Sequence, residues 1–221
     1  MKTTQSSDDH TKMIGDENDH KAKHWFCSTL AWSAVLLIGI AAIVIIVDPY
    51  FHYHKPLSFL SYRIYEERYV NDGISRHFTY DAVITGTSMS QNFKTSELDE
   101  LFGTHSVKEP FSGAGFKELS ENLDRTLQYG QEVKMVVMPL DYNALLQNAD
   151  WQKYDEYPTY LYDNNIFNDT RYVWNKAIFY HGVVADLLRT LSGEPTTTMD
   201  EYSAWVRETG LEHILASYTR A

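Results

Sequence analysis

The chain has 221 residues, and its hydrophobic content of 43% and aromatic content of 14% suffice to bury the core of one folded domain. A formal net charge of -11 argues against nucleic acid as the main partner, because phosphate binding requires clustered lysine and arginine. The one cysteine, Cys27, excludes an intrachain disulfide and a metal cluster built on cysteines.

The chain begins with a polar segment and continues into an apolar one. Residues 1–24 are rich in acidic and amide side chains, which predicts a disordered tail. Residues 25–47 carry no charge and no proline, and they are long enough to cross a hydrocarbon core of about 30 Å. A cleaved signal peptide has a shorter apolar core and a small-residue cleavage site. The pattern therefore predicts an uncleaved transmembrane signal anchor that lies in the lipid bilayer.

The lysines near the apolar segment predict its orientation. Lys21 and Lys23 lie closest to its amino-terminal end, and basic residues beside a membrane span favour the cytoplasmic side. We therefore expect a single-pass protein of the plasma membrane, with a cytoplasmic amino terminus and an extracytoplasmic main domain.

Residues 48–80 are predicted to form a connector. Residues 58–69 have the pattern of a short amphipathic helix, which Asn71-Asp72-Gly73 is expected to end. His52 and His54 could bind a metal if both side chains pointed to one face of a strand, but a loop at the membrane interface is favoured. No metal site and no cofactor are predicted.

Strand and helix patterns alternate through the last segment, residues 81–221. The predicted strands cover 82–85, 106–109 and 133–138, and the predicted helices cover 95–102 and 117–129. Thr95 or Ser96 is the expected N-cap of the first helix, and the third strand is an apolar run typical of burial on both faces. The order β-α-β-α-β predicts an α/β domain with a parallel sheet and right-handed crossovers.

The rest of the chain is expected to be less regular. Residues 142–170 form a long polar loop, which suggests a segment that faces a substrate or a lid. Residues 172–191 are predicted to be one helix, and a further short helix is expected near 212–217.

The most informative motif is Gly86-Thr87-Ser88, which follows the first predicted strand directly. A hydroxyl just past the end of a strand lies at the carboxyl edge of a sheet, where open α/β folds build their sites. Two further loops leave the same edge, one with Gly113 and Gly115 and one with Asp141 and Asn143.

This ordered set of loops resembles the SGNH/GDSL hydrolase superfamily, and within it the membrane-anchored branch of the bacterial cell envelope. The resemblance covers roughly residues 81–145 and implies a three-layer domain with a parallel sheet. It implies that Ser88 is the nucleophile and that its backbone N–H is an oxyanion donor. It also implies that Gly113, or as second choice Gly115, completes the oxyanion hole.

The third and fourth blocks of that family depart from its pattern here. The expected donor asparagine is absent, and Asp141 or Asn143 would stand in, although an ionised aspartate cannot donate a hydrogen bond. No Asp-x-x-His follows the third strand, and neither His181 nor His213 has the expected setting for the base. Either the chain is a piece of a longer protein, which we favour because only three strands are evident, or catalysis has been lost.

The sequence leaves two hypotheses of function. The first is an esterase or acyltransferase that acts on an ester-linked acyl group, with an envelope polysaccharide as substrate. The second is a membrane-anchored binding or assembly protein that keeps the scaffold without the triad, because a Gly-Thr-Ser turn can be a plain βα connection. A dinucleotide site at Gly113-Ala114-Gly115 is disfavoured, since the third glycine of that fingerprint is missing.

Overall fold

The structure is a computed structural model that describes residues 5–130, 132–146, 148, 150–151, 158–163 and 165–205. The chain divides into two compact units, Met1–Ile43 and Val44–Ala221. The helices are α1 (Gln5–Val47), α2 (Glu67–His77), α3 (Thr95–Phe102), α4 (Phe116–Tyr129), α5 (Tyr142–Leu146), α6 (Thr170–Val173) and α7 (Ala185–Ser192), with a π-helix at Ile178–Val184 and 3₁₀ turns at Ser88–Ser90 and Thr159–Leu161. The strands are β1 (Ala82–Gly86), β2 (Ser106–Pro110) and β3 (Met135–Val137).

The apolar segment near the amino terminus lies within α1. The stretch Lys21–Val47 is one helix that is long and apolar enough to cross a membrane. The helix begins at Gln5, so the polar segment predicted to be disordered is helical from that residue onward.

The three strands form one parallel sheet in the order β2-β1-β3, which confirms the predicted mixed α/β architecture. Every residue of β1 and β2 is buried. The prediction that β3 is buried on both faces was wrong, because β3 lies at the edge of the sheet and Val136 is 39% exposed. The central strand β1 therefore carries the Gly-Thr-Ser turn into the middle of the carboxyl edge.

The helix predicted at 58–69 was misplaced, because α2 begins at Glu67 and runs through the Asn-Asp-Gly sequence expected to end it. Burial explains the difference. The Asn71 Nδ2 atom donates to the carbonyl of Pro110 at 2.8 Å, which ties α2 to the end of β2. A Cβ on Gly73 would lie 2.2 Å from the carbonyl oxygen of Tyr50, so the close approach of that loop requires glycine. Tertiary contacts thus override a local turn signal.

The predicted helix at 172–191 is divided. Helix α6 ends at Val173, and the Asn175 Oδ1 atom accepts a hydrogen bond from the N–H of Ala177 at 2.8 Å where the next helix begins. The predicted loop at 142–170 contains α5 and the turn Thr159–Leu161. The helix expected near 212–217 lies outside the described residues.

Glu109 is a fully buried carboxyl group in the core between β2, α2 and α4. Its oxygens accept hydrogen bonds from Ser75 Oγ at 2.8 Å, Asn122 Nδ2 at 2.8 Å and Thr126 Oγ1 at 2.5 Å. Burial raises the pKa of Glu109 from 4.5 to about 7, although these donors act in the opposite direction. The folded chain therefore holds a proton in a pH range where the unfolded chain has lost it.

This proton sets a pH dependence of stability that can be measured. As pH rises from 4.5 to about 7, we expect the contribution of Glu109 to the free energy of unfolding to fall, and to stay constant above that range. The fall is roughly 3–4 kcal/mol, because the pKa rises from 4.5 to about 7 and each pKa unit corresponds to about 1.4 kcal/mol. Urea unfolding of the detergent-solubilised chain across this range should show a fall that is smaller by this amount for Glu109→Gln than for the wild type. The fall that remains in the variant includes that of Asp186, whose pKa is also raised by burial to about 7. Parallel curves for the two proteins would contradict the assignment.

Candidate functional site

Ser88 lies where the sequence predicts it, two residues after the end of β1 and at the start of the turn Ser88–Ser90. Gly86 adopts a φ of 136°, and a Cβ there would come within 3.2 Å of Ser90 Oγ and 3.3 Å of Pro139 Cδ. Ser90 is buried and donates its hydroxyl to the carbonyl of Thr87 at 2.8 Å. Ser88 is half-buried, and its hydroxyl makes no hydrogen bond to any residue that the structure describes. The turn therefore holds Ser90 inward and leaves the Ser88 hydroxyl open to a ligand.

The loop after β3 meets the Ser88 turn through Asp141. Thr87 Oγ1 donates to Asp141 Oδ2 at 3.1 Å, so the residue before Ser88 is tied to the third loop. Asp141 accepts this hydrogen bond and supplies no donor for an oxyanion. Asn143, the other candidate in this loop, is the second residue of α5, and only its backbone position is described.

The loop after β2 presents Gly113 in a left-handed conformation with a φ of 62°. Its N–H makes no hydrogen bond within the described part of the chain. The N–H of Gly115, by contrast, donates to Glu118 Oε2 at 3.2 Å at the start of α4. Of the two glycines, Gly113 is therefore the one with an available donor.

Glu67, the first residue of α2, connects these loops and was not anticipated from the sequence. Its carboxylate accepts hydrogen bonds from Gln91 Nε2, from the backbone N–H of Ser112 and from Ser203 Oγ. No sequence signal relates position 67 to positions 91, 112 and 203, because only the fold brings them together. The carboxylate joins the turn after β1 to the loop after β2.

Residues 198–205, here called the strap, contact the segment 91–96 that follows Ser88. The prediction of Thr95 or Ser96 as the N-cap of α3 was wrong, because Lys94 holds the N-cap position and makes no side-chain capping hydrogen bond. Instead, Asp200 Oδ1 in the strap accepts hydrogen bonds from Thr95 Oγ1 at 2.9 Å and from the Ser96 N–H at 3.0 Å. At the end of the strap, the Trp205 N–H donates to Asn92 Oδ1 at 2.9 Å. The strap is thus fixed to the segment that follows Ser88.

Lys108 of β2 holds the strap through a hydrogen bond of its side-chain amine. It is fully buried in β2, and its Nζ donates to the carbonyls of Gln91 at 2.7 Å, Phe93 at 3.3 Å and Asp200 at 3.1 Å. Burial lowers the pKa of Lys108 to about 8, while Asp200 and Glu67 oppose the shift. Its three carbonyl contacts give this amine a role in positioning the turn and the strap.

A cavity of about 450 Å³ opens beside this network. Its walls include Glu66, Glu67 and Tyr69 of the α2 region, Ser112 of the loop after β2, and Ser203 of the strap. Glu66 and Ser203 have φ values of 60° and 58°, a conformation that costs a residue other than glycine on the order of 1–3 kcal/mol. Two strained residues therefore face the same space.

No histidine forms a hydrogen bond with Ser88 within the described region. His105 directly precedes β2, at the amino edge of the sheet, and His181 lies in the π-helix. His52 Nε2 lies 3.3 Å from Asp169 Oδ1, and both ring nitrogens of His54 contact backbone carbonyls. His52 and His54 thus have separate partners, and the described residues contain no group of three or more His, Cys, Asp or Glu side chains arranged to hold a metal ion. His213 lies outside the described residues.

Comparison with known proteins gives no assignment: no family model, no curated protein and no solved structure matches the chain.

Proposed function

We propose that the chain is a membrane-anchored serine esterase or acyltransferase with an SGNH-like, three-layer α/β domain. Residues 25–47 anchor it in the plasma membrane as a single span, with the amino terminus in the cytoplasm and the main domain outside. Its substrate is an ester-linked acyl group, and an envelope polysaccharide is the acyl carrier or acceptor. The observation that carries this proposal is the half-buried Ser88 hydroxyl, which lacks a described hydrogen-bond partner at the carboxyl end of the central strand.

In the proposed reaction, Ser88 Oγ attacks the acyl carbon and the ester bond breaks. The proton of the hydroxyl passes to a base, the alcohol leaves, and the acyl group remains on Ser88. The N–H groups of Ser88 and Gly113 would hold the developing oxyanion, a contribution that is worth roughly 10²–10³ in rate for each donor. Water or an acceptor hydroxyl then releases the acyl group and regenerates Ser88.

A second candidate function is a binding or assembly protein without catalysis. It is favoured by the setting of Ser88, which has no base among the described residues, and by the Glu67 carboxylate that occupies the N–H of Ser112. A carboxylate bound to the residue next to Gly113 would repel an oxyanion that forms at the Gly113 N–H. The two functions make opposite predictions for the reactivity of Ser88.

A fluorophosphonate probe separates the two candidates. The probe loses fluoride to an activated serine and forms a stable serine–phosphorus ester. We expect the full chain in detergent to be labelled, Ser88→Ala to lose all labelling, and Ser90→Ala to keep it. Ser90 is the matched control because it lies in the same turn with its hydroxyl turned inward.

The base can be located in the same experiment. His213→Ala changes a histidine beyond the third strand that lies outside the described residues, and loss of labelling would identify it as the proton acceptor. His181→Ala is the matched control and should keep the labelling, because His181 lies in the π-helix without a hydrogen bond to Ser88. A wild-type chain that folds and shows no labelling would favour the binding function.

A further inference from the structure

We propose that the cavity between α2, the loop after β2 and the strap binds a neutral, hydroxyl-rich group such as a sugar residue or another polyol. The cavity would then be the subsite for the carbohydrate part of the substrate. Its role in catalysis rests on the proposed function. The cavity measures about 450 Å³, which is enough for one sugar ring.

The chemistry of the walls matches a ligand with several hydroxyl groups. Glu66 contributes a carboxylate that makes no hydrogen bond or ion pair with another residue that the structure describes. Ser112 and Ser203 contribute hydroxyls, and Tyr69 and Pro158 contribute ring surfaces. Carboxylates accept hydrogen bonds and hydroxyls both donate and accept, so these groups complement the hydroxyls of a polyol.

The charge of the cavity disfavours an anionic ligand. Glu66 and Glu67 both lie on its wall, and the basic residue of that wall, Arg68, places its Nε atom 2.8 Å from Glu118 Oε1. The chain as a whole carries a net charge of -11, which adds to the repulsion. A phosphate or carboxylate ligand would therefore meet an unfavourable potential, whereas a neutral polyol would not.

Two residues with a left-handed backbone lie on the wall of this cavity, and both also line a smaller cavity of about 260 Å³. Both Glu66 and Ser203 hold left-handed conformations that residues with a Cβ rarely adopt, and such conformations cluster where a fold fixes the direction of ligand-binding groups. Ser203 is held by its hydrogen bond to Glu67. Another cavity of about 420 Å³ at the amino edge of the sheet lacks this feature, and its Lys134 is paired with Asp81 at 2.9 Å.

The cavity is adjacent to the candidate catalytic groups. Ser112 on its wall precedes Gly113, and Glu67 on its wall hydrogen-bonds Gln91, which lies three residues after Ser88. A sugar bound here would contact Ser112, the residue that precedes the candidate oxyanion donor Gly113.

Ligand-observed saturation-transfer NMR tests the inference with the full chain in lauryldimethylamine oxide, a detergent that carries no sugar. Glucose and N-acetylglucosamine are the probes. For the wild type, we expect saturation transfer to the ring protons of at least one of the two sugars. Glu66→Gly should bind that sugar about tenfold more weakly, because one charged hydrogen-bond acceptor is lost. Glycine suits the left-handed backbone at this position, so the variant should fold. Glu132→Gly, an exposed acidic residue at the other cavity, is the matched control and should bind as the wild type does.

The outcomes separate this inference from the proposed function. Ser88→Ala should bind the sugars as the wild type does, because Ser88 does not line the cavity. Sugar binding without fluorophosphonate labelling would retain the subsite and remove the enzyme. Absence of saturation transfer for both sugars, or equal weakening by Glu66→Gly and Glu132→Gly, would overturn the subsite whatever the labelling shows.

Discussion

Replacement of Asp72 by asparagine is expected to lower the free energy of unfolding by about 3–5 kcal/mol, because it leaves two buried guanidinium groups without their counterion. Asp72 is 1% exposed in α2, and its Oδ2 atom lies 2.8 Å from Arg76 Nε. Its Oδ1 atom lies 2.5 Å from both Nε and Nη2 of Arg125, a residue of α4 whose side chain is 15% exposed. The Oδ1 atom of this carboxylate thus joins α2 to α4, and its Oδ2 atom pairs with an arginine of α2 itself.

An exposed ion pair gives the matched control for this prediction. Glu97 Oε1 lies 3.3 Å from Lys94 Nζ, and the two side chains are 67% and 57% exposed. Glu97→Gln should therefore cost less than about 1 kcal/mol. Urea unfolding followed by circular dichroism measures both variants. Similar losses for the two substitutions would show that the buried cluster adds little to the stability of the fold.

Replacement of Gly73 by alanine is expected to destabilise the chain by roughly 3 kcal/mol or more, although alanine normally favours a helix interior by about 1 kcal/mol. The new Cβ would lie 2.2 Å from the carbonyl oxygen of Tyr50, 2.7 Å from that of Phe51 and 2.8 Å from Phe51 Cβ. Two of these three atoms belong to the backbone, so a change of side-chain rotamer cannot relieve the clash. Helix α2 or the 50–51 loop must move.

Gly103→Ala separates this steric effect from a general cost of replacing glycine. Gly103 ends α3 with a φ of 66°, and a Cβ there would meet no atom within 4 Å. Its replacement should cost only about 1–2 kcal/mol, from the left-handed backbone alone. Thermal unfolding of the two variants should rank Gly73→Ala well below Gly103→Ala. The reverse order would mean that α2 moves away from the 50–51 loop at little cost.

Asp72 and Gly73 also show where prediction from this sequence fails. The strands β1 and β2 and the helices α3 and α4 were predicted to within one residue at each end, because their signals are local periodicity and terminal glycines. Asn71-Asp72-Gly73 is a turn signal by composition, yet here each residue serves a buried contact of α2. Composition cannot distinguish these two uses of the same three residues.

The candidate site likewise contains residues that the sequence predicts and residues that it does not. Ser88, Gly113 and Asp141 were predicted at one edge because the carboxyl ends of parallel strands meet there, and the hydrogen bond between Thr87 and Asp141 confirms that two of these loops meet. Glu67 and Ser203 were missed, because their contacts depend on α2 and the strap, which are remote in sequence. The sequence thus indicates which loops meet, and the fold determines what else lies among them.

The strap has a consequence for the order in which the domain folds. Asp200 accepts a hydrogen bond from Thr95, the first residue of α3, which lies 105 residues earlier in the chain. The carbonyl of Asp200 also accepts a hydrogen bond from the amine of Lys108, which lies 92 residues earlier. Contacts between such distant positions form slowly, because a long loop must close before they are made. While the chain is being synthesised, the sheet and α3 can form first, with the Lys108 amine still uncovered. We therefore expect the serine edge to be completed late in folding, once residues 198–205 have emerged.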